Sequence, residues 1–159
     1  MDRCYVEIAT EKNLITSKMK HTKILFEHDN APEGGYGIES AWAIPIGEYF
    51  QLDNILFYAK EFALGDLVNT EIRNGDQFVI GLVKESGHST IRMLFENEDE
   101  ISETRKQLSK LGCESEISNI SILIAVDIPP NVEYSVIRSY LELGEQEGKW
   151  SYEEACIAQ

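Results

Sequence analysis

An α+β fold, with a small N-terminal β-barrel-like half followed by a strand-helix-strand-helix C-terminal half, is predicted by three observations. Short β-type runs separated by turn signals fill residues 21–88, Asn74-Gly75 lies between two of those runs, and helical periodicity enters only after Gly87. Asn-Gly between alternating runs is a strong hairpin signal, because both central positions of a type I′ turn need positive φ. Several short strands close together in sequence curl into a small barrel or a strongly bent sheet. Strands alternating with helices instead build a sheet with helices layered on one face. The resulting division is an N-terminal arm over 1–20, a β-rich barrel-like subdomain over 21–88 and an α+β subdomain over 89–159.

The elements follow in order. The first twenty residues show weak periodicity and read as an arm, or as a loosely attached strand around Tyr5-Val6-Glu7-Ile8. Lys23-Ile24-Leu25-Phe26 is a short strand, followed by a loop of turn formers from Asp29 to Gly35. Ser40-Ala41-Trp42-Ala43-Ile44 is a strand stopped by Pro45 and Gly47, and Tyr49-Phe50-Gln51-Leu52 comes next. Leu67 to Ile72 and Gln77 to Val83 are the arms of the Asn74-Gly75 hairpin.

Thr90 to Phe95 reads as a strand, after which Glu96, Glu98, Asp99 and Glu100 open a helix carrying Ile101, Thr104, Leu108 and Leu111 at helical spacing. Acids in the first turn and Lys106 and Lys110 near the end suit the helix macrodipole, and Gly112 is a natural stop. Ser121 to Ile128 is a buried-type strand ended by Pro129-Pro130. A second helix places Val132, Val136, Ile137, Tyr140 and Leu141 on one face, and Ser151 with Glu154 forms a capping box that predicts a short third helix.

Composition narrows the function. The chain has 159 residues, 43% of them hydrophobic, with 28 acidic residues against 14 basic ones and a net charge of −14. That is a globular composition whose field repels nucleic acid and anionic membranes and attracts a cationic protein. Residues 1–28 carry a net +1, so residues 29–159 carry −15. No apolar run approaches the roughly 20 residues that span a bilayer, and no secretory signal is read at the N-terminus, so a cytoplasmic location is expected. Cys4, Cys113 and Cys156 are too widely separated for a disulfide framework or a zinc motif, and reduced thiols are expected. His21, His28 and His88 add no metal-binding spacing, so no metal and no cofactor are expected. Gly34-Gly35-Tyr36-Gly37 lacks the Lys-Ser/Thr of a phosphate loop and is read as a turn.

Two groups of residues remain as candidate sites. Ser86-Gly87-His88-Ser89-Thr90 sets a histidine beside hydroxyls, and Asp66, His88, Ser89 and Arg92 form a candidate small-ligand or hydrolase-like site. Neighbours on a strand point to opposite faces, however, and a glycine turn entering a strand explains the same composition, which is the preferred reading. Paired carboxylates such as Asp53 and Asp66 are equally well explained as turn residues. The second group is acidic: Glu96, Glu98, Asp99, Glu100 and Glu103 crowd one helix start, and Glu142, Glu145 and Glu147 crowd a helix end. Negative charge at a helix C-terminus costs a few tenths of a kcal/mol per residue. A partner-facing surface and a solvated acidic face both account for it.

From about Thr22 onward the chain resembles an uncharacterised bacterial family known only as a domain of unknown function. The likeness is carried by Glu39-Ser40-Ala41-Trp42-Ala43, Leu52-Asp53-Asn54-Ile55, Phe57-Tyr58-Ala59, Leu64-Gly65-Asp66-Leu67-Val68, Ser86-Gly87-His88-Ser89-Thr90-Ile91-Arg92 and Leu111-Gly112. Leu56 departs from a pattern that often has proline there, and the resemblance implies no activity. In character the chain also resembles immunity proteins of contact-dependent growth inhibition, which are small, often acidic and bind a neighbour's toxic domain. That likeness implies a non-catalytic binder that blocks a cationic, nuclease-type toxin by occlusion, with Trp150 and Tyr152 as aromatic anchors beside the acids.

Overall fold

The computed structural model describes residues 5–10, 13–18 and 21–158, the first two stretches as backbone. Strands β1 (Tyr5–Thr10) and β2 (Asn13–Lys18) pair antiparallel from Tyr5↔Lys18 to Thr10↔Asn13. The rest of the arm, including Cys4, Lys12 and Lys20, lies outside the described residues.

Five strands follow: β3 (Thr22–His28), β4 (Gly37–Ile46), β5 (Tyr49–Leu52), β6 (Leu67–Arg73) and β7 (Asp76–Lys84). Successive strands pair antiparallel, and the ring closes into a barrel where β3 runs parallel to β7 at Ile24↔Gln77 and Leu25↔Phe78. Asn74 and Gly75 adopt φ of 50° and 87°, the left-handed pair that the hairpin between β6 and β7 requires. Alternation sends Ile24 and Phe26 of β3 and Ala41 and Ala43 of β4 inward, where they join Leu52, Leu56 and Val68. Ala41 stands opposite Ile24 in the register, and within the core the Phe62 ring meets Phe26 edge-on at 5.0 Å. Strand β4 does not stop at Pro45. It continues to Ile46 and turns at Gly47. Because β3 pairs with β4 only as far as Ala43, Pro45 sits beside a free edge where its missing N–H costs no ladder bond.

The second half is a four-stranded antiparallel sheet in the order β11-β8-β10-β9, formed by β8 (Ser89–Phe95), β9 (Glu114–Ile117), β10 (Leu123–Ile128) and β11 (Trp150–Cys156). Helices α1 (Ile101–Lys110) and α2 (Tyr134–Gln146) cover one face. Ile91, Met93 and Phe95 of β8 and Ile124, Val126 and Ile128 of β10 pack there against Ile101 and Leu108 of α1 and Ile137 and Leu141 of α2. The class is therefore α+β, with strands dominating.

Three details correct the sequence reading. The acids before α1 form a separate 3-10 turn, Glu98–Glu100, capped by Asn97, whose Oδ1 accepts from Asp99 N–H at 3.0 Å. Glu114–Ile117 is a strand that its four mostly polar residues concealed, as charged side chains on an edge strand commonly do. Ser151 begins no helix: Trp150–Cys156 is β11, paired with β8 from Trp150↔Phe95. A cap contributes about 1 kcal/mol, whereas the strand completes a ladder and buries Trp150, which is 4% exposed. Trp150 also explains Gly144 in the middle of α2, where a Cβ would lie 1.9 Å from the indole ring.

Candidate functional site

The face of the sheet away from the helices carries Thr90 and Arg92 of β8 and Ala125 and Asp127 of β10, and it meets the segment 53–66 that links β5 to β6. One carboxylate holds the middle of that segment. Glu39 of β4 accepts backbone N–H bonds from Phe57 at 2.7 Å and from Tyr58 and Ala59 at 3.0 Å each. Asn54 accepts from the N–H of Trp42. Asp66, 3% exposed, accepts from the N–H of Ala63 at 2.9 Å and of Ser86 at 2.8 Å. Arg92 donates to the carbonyl of Phe57 at 2.6 Å and pairs with Glu153, which also binds Lys60. The two hydrogen-bonded cations hold the Glu153 carboxyl below the usual carboxylate range despite its partial burial.

The residues proposed from sequence as a ligand or hydrolase-like site all fall near this junction, but as fasteners. His88 Nδ1 lies 2.7 Å from Asp127 Oδ1, a partner the sequence reading did not single out. Burial raises the Asp127 carboxyl, and the hydrogen bond and charge of His88 oppose that rise. Ser89 is fully buried and faces away from His88, on the side of Ile91, and its Oγ accepts the N–H of Ala158 at 3.0 Å. Asp66 and Arg92 are committed to the bonds above, and Asp53 pairs with His21 rather than with Asp66. Burial pushes the thiols of Cys113 and Cys156 up to about 11, so neither is a thiolate at neutral pH. Asp66, His88, Ser89 and Arg92 therefore contribute no nucleophile–base pair. Among the described residues no group of three or more His, Cys, Asp and Glu is gathered as metal ligands.

The acidic residues are arranged differently. Helices α1 and α2 border a groove of about 250 Å³, walled by Glu100 and Glu103 from one side and by Glu147 and Lys149 from the other, over Tyr140, Leu143 and Gly144. Two acidic clusters more than forty positions apart in sequence thus converge. Lys149 is bound to Glu147 at 3.1 Å, and among the described residues Glu103 accepts from Gln107 alone, at 2.8 Å. Leu143 is 55% exposed at the groove rim. The remaining acids of the two clusters stand outside it: Glu96 and Asp99 are solvent-exposed, Glu98 accepts from the hydroxyl of Ser121, Glu142 pairs with Arg138, and Glu145 accepts from the N–H of Tyr152. Trp150 is not a surface anchor. It lies beneath the groove with its indole N–H donating to the Leu141 carbonyl at 3.0 Å, while Tyr152 is half-buried.

Comparison with known proteins places these features in a family. The family model described as a domain of unknown function, DUF4265, matches residues 39–152. That span opens on Glu39 and includes Asn54, Asp66, His88 and Arg92, so most of the strings that carried the resemblance contain residues that fasten segment 53–66 and the sheet together. A solved structure described as a hypothetical protein from Neisseria gonorrhoeae is similar in fold, with a TM-score of 0.74 at 21% identity over 89% of this chain and 98% of that one. No curated protein matches the chain.

Proposed function

We propose that this chain, which belongs to the DUF4265 family, is a non-catalytic acidic binding protein, in its sharpest form an immunity protein that blocks a cationic, nuclease-type toxin domain. The observation that carries this reading is the meeting of Glu100, Glu103 and Glu147 in one groove beside exposed Leu143. Carboxylates with few internal donors, next to an apolar rim, suit a partner that brings Lys or Arg around an apolar contact. Occlusion is the mechanism: the carboxylates stand where substrate phosphates would stand on the partner's basic surface. The commitment of Asp66, Ser89 and Arg92 to internal bonds speaks against the hydrolase-like alternative at His88.

The test is capture from a lysate of the source cells at low salt, followed by elution with rising salt. A single stoichiometric basic protein, released by salt and freed of toxicity when co-expressed with this chain, is the expected result. Absence of any basic partner would overturn the reading.

A further inference from the structure

Helix α1 has a second long side, and its chemistry is the reverse of the first. A cleft of about 680 Å³ lies between α1 and the edge strand β9, a size within the range of about 300–1,000 Å³ typical of small-molecule sites. Its lining includes Ile101, which is 6% exposed, Cys113, which is 1% exposed, and Ile117, which is 46% exposed. Ser102, Arg105 and Ser109 recur at helical spacing along this side of α1, with Lys106 beside them.

Arg105 is the ordered element. Its Nε donates to Ser115 Oγ and its Nη2 to the Ser115 carbonyl, each at 2.9 Å. Those bonds use one edge of the guanidinium and tie it to a residue only 8% exposed. The terminal edge, Nη1 with the second hydrogen of Nη2, has no partner among the described residues, and Lys106 is exposed without an ion pair. A guanidinium held on one edge presents the other as a fixed fork, which matches a carboxylate in a bidentate pair. Glu98, engaged by the Ser121 hydroxyl, and Glu114 offset the charges of Arg105 and Lys106, so the lining is neutral overall. The open guanidinium edge, not a surplus of positive charge, is what favours one carboxylate, and a multiply charged phosphate ester is disfavoured by the protein's net −14.

We propose that the cleft between α1 and β9 is a binding site for a small amphipathic monocarboxylate, its carboxylate on the free edge of Arg105 and its apolar body along Ile101, Cys113 and Ile117. The site lies on the opposite side of α1 from the acidic groove, and the proposal does not depend on what binds there.

The probe is sodium octanoate titrated into the full chain at pH 7 and followed by amide chemical shifts, with 1-octanol as the neutral counterpart. Expected are saturable shifts confined to residues 98–106 and 113–121, with octanol at least about tenfold weaker. Arg105→Lys keeps the charge but loses the fork and is expected to weaken octanoate about tenfold. Because Arg105 also joins α1 to β9, Ser109→Glu serves as a second variant: it is exposed, disturbs no internal bond, and is expected to abolish binding by repulsion. Equal binding of octanol, shifts spread beyond the cleft, or no saturation by about 5 mM, near the weak end of specific recognition, would each overturn the proposal.

Discussion

Carboxylates do different work in two regions of this molecule. At the junction between barrel and sheet, Glu39, Asp66 and Asp127 each meet identified donors: three backbone N–H groups, two backbone N–H groups, and the His88 ring. In the groove between α1 and α2, Glu103 and Glu147 are exposed and Glu100 is half-buried, and among the described residues Gln107 and Lys149 are the side chains that bind Glu103 and Glu147. What separates the two sets is backbone donors and burial: Glu39 and Asp66 accept two or more backbone N–H bonds and Asp127 is 3% exposed, whereas among the described residues the groove carboxylates have single side-chain partners at most. A carboxylate that accepts several backbone bonds holds the chain in place, whereas one left with spare acceptors is available to a partner.

That contrast is sharpest in stability. Glu39→Ala strips three N–H groups of their acceptor and is expected to cost about 3 kcal/mol, read as a lower urea midpoint. Asp66→Asn keeps the shape but leaves one acceptor oxygen where the carboxylate uses two, so one of the two N–H groups faces an NH2 donor, and about 2 kcal/mol is expected. In the groove, Glu100→Gln, Glu103→Gln and Glu147→Gln should each stay within about 0.5 kcal/mol of the parent. A groove variant that destabilised as much as Glu39→Ala would dissolve the distinction.

Titration tests the junction directly. Asp127 has a raised native carboxyl, so the folded state holds its proton more tightly than the unfolded chain does. Its contribution is fully present below the ordinary value of 3.8 and is lost as pH rises through the raised native value. The stability of the parent relative to Asp127→Asn should therefore fall as pH climbs through that window. A difference independent of pH would contradict the assignment. The smallest expected effect is chemical: with thiols near 11, Cys113 and Cys156 should alkylate at pH 8 much more slowly than a free thiol until the protein is unfolded. Rapid labelling of either in the folded protein would show that its burial is transient.

Much of the scaffold was legible because its signals are local. Asn74-Gly75 and Gly112 carry their own backbone conformations, and Ile91, Met93 and Phe95 announce a buried face by alternation. β11 was not legible, since Ser151 and Glu154 offer a helix cap locally and only the free edge of β8 turns the segment into a strand. The His88–Asp127 pair joins residues 39 positions apart, beyond the reach of any spacing rule. Both acidic clusters could be read singly. Their convergence depends on α2 seating over Trp150, which the absence of a Cβ at Gly144 permits. The two sides of α1 show the same limit, because Glu103 and Arg105 are two residues apart yet line opposite grooves.

The most direct test of the central claim is calorimetric titration of the captured basic partner with the parent chain and with the combined Glu100→Gln, Glu103→Gln, Glu147→Gln variant across a salt series. Opposed charges predict that affinity for the parent falls steeply with salt and that the variant binds more weakly with a shallower slope. Equal affinities and equal slopes for the two proteins would show that the groove is not where the partner sits.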